Sequence, residues 1–239
     1  MRATLEVCVD TLEGVETCVE GGADRIELCS ALPLGGLTPS LGLMRAAAGC
    51  GVPAYAMIRP RQGNFCFGAR EVALMVDDIA AARDAGLAGV VLGAATHDGL
   101  LDEAVLSVLC AASEGMGRTL HRVIDTVEDR LAAIDTAIAL GFERILTSGG
   151  ALTAIDGLSA LKDMQAHAGE RIEIMVGSGV APENAVAISE RTGISAFHAS
   201  CGISVPTDAR LAAFGFAPQT ERRTSAEKIR QMKAVLESL

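Results

Sequence analysis

Tryptophan is absent from the 239 residues, Tyr55 is the only tyrosine, and aromatic residues make up 3% of the chain. Such scarcity argues against an aromatic sugar-stacking cleft or a base-stacking platform, both of which need several exposed rings. Lysine is nearly as rare: Lys162, Lys228 and Lys233 are the only three, and all fall in predicted helices. A Schiff-base aldolase mechanism, which needs an amine at a strand end, is therefore disfavoured. Positive charge is short overall, with 20 Lys+Arg against 30 Asp+Glu and a net charge of −10. No nucleic-acid partner is expected on that balance. Apolar runs are short too; none reaches the ~18 residues of a membrane span, and the N-terminal residues do not read as a secretory signal. The expectation is a cytoplasmic protein with reduced thiols and no membrane partner. Seven cysteines without a C-x-x-C pair make neither a disulfide scaffold nor a zinc signature. The sequence has no G-x-G-x-x-G opening a helix and no G-x-x-x-x-G-K-[ST] loop, so no nucleotide cofactor is expected.

What the sequence does contain is alternation. Short β-branched or apolar runs at Thr4–Val9, Arg25–Leu28, Ala54–Ile58, Gly89–Leu92, Arg118–His121, Arg144–Thr147, Ile172–Val176 and Ser195–His198 predict strands. Helical windows with apolar residues every three or four positions, such as Glu71–Ala85, Leu101–Ala112, Val127–Leu140, Ile155–Ala168 and Pro182–Glu190, separate them. Gly22-Ala23-Asp24-Arg25-Ile26 is echoed by Gly141-Phe142-Glu143-Arg144-Ile145, about half a chain later, with weaker echoes at Gly86-Leu87 and Gly193-Ile194. Fourfold recurrence of a pair of βα units predicts an α/β fold, a (β/α)8 TIM barrel, as a single domain over 1–239. The alternative source of the echo is the preference for glycine at helix C-termini. The stretches predicted as irregular, Ala31–Ser40, Arg59–Ala69 and Cys201–Ser225, all follow strand ends, where barrel sites are built.

Strand alternation puts Glu6 and Cys8 on one face of the first strand, and Arg25, Glu27 and Cys29 on one face of the second. Charges inside parallel strands need a reason, and two stand: an internal ion-pair network, or Glu6 and Glu27 as an acid/base pair or hard-metal ligands. Arg59 and Arg61 flank Pro60 at a strand end as guanidinium forks for a carboxylate or phosphate, or else as clamps on acidic loops. His121, Arg122 and Asp125 cluster after the fifth strand, with His121 as general base or acid or as a supporting core histidine. Thr147, Ser148 and Gly149, Gly177 and Gly179, and His198 and Ser200 lie after strands six, seven and eight, where amides and hydroxyls cradle oxyanions. Together they predict a small anionic ligand, with Glu27, His121 and Asp125 as proton-transfer candidates. Cys8, Cys29 and Cys66 fall at or beyond three adjacent strands; they are either buried core residues or three thiolates for Cu(I) or Zn²⁺. A non-catalytic barrel using 201–223 to bind a partner is a third possibility.

Leu5-Glu6-Val7-Cys8, Gly22 through Cys29, Gly36-Leu37-Thr38-Pro39-Ser40, Ile58-Arg59-Pro60-Arg61 with Gly63 and Phe65, His121-Arg122 with Asp125, Leu146-Thr147-Ser148-Gly149, and Gly179-Val180 with Asn184 together resemble the CutC family. The resemblance runs from residue 5 to about 200. It implies a cytoplasmic TIM barrel, often a homodimer, with these motifs around its C-terminal mouth and a role in copper homeostasis, hence Cu(I) as the expected ion. Asn64, Phe67, Leu120 and Ala181 depart from the usual pattern, the first two removing a carboxylate and a phenol. His198 and Ser200 match it, whereas 201–223 diverges.

Overall fold

The computed structural model describes residues 2–239. Eight parallel strands, β1 (Thr4–Val9), β2 (Arg25–Leu28), β3 (Ala54–Met57), β4 (Gly89–Leu92), β5 (Gly117–Leu120), β6 (Arg144–Thr147), β7 (Glu173–Val176) and β8 (Ala196–Ala199), close into a barrel in sequence order. Helices α1 (Leu12–Gly21), α2 (Leu41–Ala48), α3 (Ala69–Asp84), α4 (Glu103–Ala112), α5 (Arg130–Ala139), α6 (Leu158–Ala168) and α7 (Pro182–Thr192) each follow one strand. After β8 come β9 (Gly202–Pro206), the short α8 (Ala209–Ala213), β10 (Thr220–Thr224) and α9 (Ala226–Leu236). The architecture is a (β/α)8 barrel, and each predicted strand lies within one residue of its observed ends. Among the described residues no helix is long and apolar enough to cross a membrane.

Local chemistry starts and stops these helices. Side-chain oxygens of Thr11, Ser40, Asp102, Asp129 and Ser225 accept hydrogen bonds from first-turn amides, supplying partners that the helix itself cannot. The capping role of Asp129 explains why the fifth helix begins at Arg130 rather than at Val127. Gly22, Gly86, Gly141 and Gly193, the four residues of the sequence echo, have φ of 81, 88, 75 and 77°. Each supplies the left-handed turn that a side chain would strain. The echo therefore reports helix stops as well as βα recurrence, and its two explanations coincide.

Outward-facing strand residues such as Leu5, Ile26, Leu92 and Phe197 are fully buried beneath the helices. Inward-facing ones fill the barrel separately, as Cys29, Tyr55, Met57 and Val91 on one side and Leu146, Met175 and Ala196 on the other. Tyr55 blocks the floor: a Cβ on Gly89 would lie 2.2 Å from its ring and one on Gly117 2.1 Å from its hydroxyl. Arg25 and Arg144 lie 5.6 and 5.0 Å from the centre of that ring. Tyr55 thus fills the interior beside the first residues of β4 and β5.

The segment 201–225, predicted as irregular, is instead an antiparallel hairpin. β9 and β10 pair from Gly202↔Thr224 to Pro206↔Thr220 and enclose α8. Six of the hairpin's ten strand residues are exposed and none is buried, so the sequence carries no buried-face alternation to announce it.

Candidate functional site at the barrel centre

Strand register assembles the site. Glu6 stands opposite Arg25 of β2 and His198 of β8, and Cys8 stands opposite Glu27. These side chains point into the barrel and meet on its axis. His198 Nδ1 lies 2.8 Å from Glu6 Oε1, whose other oxygen accepts from Arg25 Nε at 2.5 Å. The carboxylate thereby orients the imidazole and leaves Nε2 facing inward, 3.8 Å from Glu27 Oε2. One donor atom each of Cys8, Glu27 and His198 lies within 4.8 Å of the others, the only group of three such side chains among the described residues. The Cys29 thiol sits 3.6 Å from Glu27 Oε2, while Glu27 Oε1 is buried with no hydrogen-bond partner. Gly177 makes room for Leu146, which a Cβ there would meet at 2.6 Å.

Burial alone would raise the Glu6 pKa, but the hydrogen bond to His198 and the charge of Arg25 hold it at about 2. Desolvation pushes Glu27 up, aided by the nearby Glu6 charge. His198 is driven well above its ordinary value despite burial, because Glu27, Cys8 and Glu6 face it. Glu27 and His198 therefore retain a proton between them at neutral pH. Burial keeps the Cys29 thiol protonated, with a pKa well above the usual value. Of the two readings of the strand charges, the ion pair is present between Glu6 and Arg25, and Glu6 also holds His198, whose far nitrogen lies beside Glu27.

Other expected site residues take structural roles. His121 Nδ1 accepts the Val123 amide at 3.1 Å, so the proton sits on Nε2, which has no partner. Burial and the Arg59 charge lower its pKa to about 3. At neutral pH it is therefore neutral, with its ring packed 4.9 Å from that of Phe65. Arg59 donates to the carbonyls of Leu34, Gly36 and Gly63. Arg61 is bound to Glu71 at 2.5 Å and to the carbonyls of Gln62, Asn64 and Cys66. Arg122 bridges Asp125, Ser148 and the Ala151 carbonyl. These guanidiniums clamp loops, mostly through carbonyl oxygens, although Arg59 Nε is buried with no partner.

Asp125 likewise ties the loop after β6. It accepts from Thr147 Oγ1 at 2.6 Å, Ser148 Oγ at 3.0 Å and the amides of Ser148 and Gly150. Thr147 Oγ1 also accepts the Gly149 amide, so this trio is engaged within the protein. Gly179, at φ 72°, has its carbonyl bonded to Asn184, and Ser200 Oγ accepts from Arg222 at 3.2 Å. The three expected thiols do not gather. Cys8 belongs to the central cluster and Cys29 borders it, whereas Cys66 lies in the β3–α3 loop, where its amide bonds Asn64 and its carbonyl accepts from Arg61. Alternation along single strands puts Cys8 on a face with Glu6 and Glu27 on a face with Cys29, but the meeting of Cys8 and Glu27 with His198 rests on barrel closure of β1 against β8, which the sequence does not display.

Fold and centre define a class: a closed (β/α)8 barrel with a Cys, Glu and His cluster on its axis. Within that class the chain belongs to the CutC family, whose model matches residues 3–203. The "family protein CutC" of Sinorhizobium medicae is 53% identical over 239 residues, covering 100% of this chain and 98% of that protein. Its counterpart in Caulobacter vibrioides is 49% identical, covering 98% of each. The crystal structure of the "Putative Copper Homeostasis Protein CutC" from Streptococcus agalactiae superposes with a TM-score of 0.79 at 33% identity, covering 83% of this chain and 98% of that one. Thiamine phosphate pyrophosphorylase from Pyrococcus furiosus, at 14% identity and TM-score 0.61, shares the barrel alone.

Proposed function

We propose that the barrel centre takes up a soft metal ion as cargo, Cu(I) in the copper homeostasis named for the Streptococcus relative. The observation that carries this reading is the convergence of Cys8, Glu27 and His198 within 4.8 Å. A thiolate and an imidazole nitrogen suit copper or zinc, and the second thiol of Cys29 tilts the choice toward Cu(I). The pattern of a carboxylate, Glu6, fixing the far nitrogen of His198 is that of a metal-binding histidine supported from behind. Glu27 Oε1, buried without a partner, has the unmet demand that an ion or a proton satisfies. Binding displaces the proton held by Glu27 and His198, so uptake weakens in acid.

Anaerobic titration of the reduced protein against a chromogenic Cu(I) chelator tests this. One equivalent per chain is expected, weakened at least tenfold in Cys8→Ser and His198→Ala and unchanged in Cys66→Ser. A wild-type protein that fails to compete for copper, or a Cys8→Ser protein that competes equally, overturns the reading. A second reading, acid/base chemistry on a small anion, is favoured by the proton shared between Glu27 and His198 at a barrel mouth. Its signature is metal-independent binding of a small anion that fails in Glu27→Gln.

A further inference from the structure

The arginines that the sequence assigns to an anion are engaged elsewhere, but two other cations converge on the opposite rim. Beside the ends of β7 and β8 lies a cleft of about 90 Å³, lined among others by Ala181, Ser200, Gly202, Arg222, Lys228 and Met232. A single water needs about 10–15 Å³ on such a measure, so the cleft has room for a polyatomic ion. No acidic residue lines it, although the chain carries a net charge of −10. We infer that this cleft is a subsite for a tetrahedral oxyanion, inorganic phosphate or the phosphate group of a small molecule.

Its cations come from two elements, Arg222 from β10 and Lys228 from α9. Arg222 has no ion-pair partner among the described residues. Lys228 has only Glu183, at 4.0 Å and 72% exposed, a pairing of little energetic weight. Gly202 lies close under Arg222: a Cβ there would be 3.2 Å from its Nε. One terminal nitrogen of Arg222 donates to Ser200 Oγ, which sets the guanidinium across the end of β8. Ser200 follows His198 by two positions, about 7 Å along a strand. Both cations lie beyond residue 203, where the family model ends, so the subsite rests on the C-terminal segment and not on the metal reading.

The test is calorimetric titration of the full-length, chelator-treated protein with inorganic phosphate and with glycerol 3-phosphate. Saturable single-site binding is expected, at least tenfold weaker in Arg222→Gln and in Lys228→Met, with unchanged melting temperatures. Cys8→Ser is expected to lose copper and keep phosphate, which separates failure of this inference from failure of the copper reading. Tighter binding of glycerol 3-phosphate identifies a phosphorylated small molecule; equal or weaker binding identifies the free ion. Absence of saturable binding of either probe to the wild type, or affinities unmoved by both substitutions, overturns the inference.

Discussion

A buried side chain's chemistry is set by its neighbours, and His121 and His198 show how far two histidines in one barrel can diverge. Both are buried, but His198 faces carboxylates that favour its protonated form, whereas His121 faces Arg59 and a backbone amide and stays neutral. The sequence locates both at strand ends and cannot distinguish them, because Arg59 reaches His121 only through the folded β3 loop. The His121 pKa, about 3 when folded against 6.5 ordinarily, has a measurable sign. Above pH 6.5 neither state is protonated and this contribution is fully present. As pH falls from 6.5 toward 3 the unfolded chain takes up the proton and stability is lost, at about 1.4 kcal/mol per pH unit. Urea midpoints across that range are expected to fall less steeply for His121→Asn, and parallel curves for the two proteins would refute the assignment. Glu6 acts over a lower window: its stabilisation is present above its ordinary value of 4.5 and disappears as pH falls through about 2.

Among the elements, the loop after β6 shows a site motif serving as a brace. Thr147-Ser148-Gly149-Gly150 has the composition of an oxyanion cradle, but the Asp125 carboxylate already occupies its amides and hydroxyls. Composition cannot separate a cradle for a ligand from a cradle for the protein's own carboxylate; the difference lies in whether an acid from the neighbouring strand's loop reaches it. Asp125→Ala strands several donors at once, and a cost of about 3 kcal/mol is expected, on the scale of charged hydrogen bonds lost in a mostly buried place. Copper and phosphate binding should survive at a temperature where the variant is folded. A variant that melts as the wild type does but loses phosphate would return this loop to the ligand. By contrast, the strands were legible almost to the residue, because hydrophobic runs bounded by glycine stops report burial directly.

At the scale of the whole molecule, the C-terminal segment divides into a part that closes the barrel and a part that does not. Ile229 and Met232 of α9 are fully buried and Leu236 nearly so. Gly21 of α1 approaches Ile229 so closely that a Cβ would lie 2.6 Å away, and Lys233 bonds Asp24 at 2.5 Å. Burying three such side chains contributes roughly 1.5–3 kcal/mol each, comparable to the roughly 5–15 kcal/mol that holds a domain together. The hairpin tip is different: Phe214 and Phe216 are 78% and 81% exposed, and their rings stack mainly on one another at 6.3 Å. Replacing 207–219 by Asn-Gly joins Pro206 to Thr220, which are already cross-strand partners, through a turn suited to a two-residue hairpin. That variant is expected to keep its melting temperature within a few degrees, and to keep copper and phosphate, since Arg222 and Lys228 remain in place. Truncation after residue 203, where the family model ends, is expected to give a chain without a cooperative thermal transition, because the helix that covers β1 and β8 is gone. A truncated chain that melts cooperatively near the wild-type temperature would show that seven helices suffice to close this barrel and that α9 serves the cleft alone.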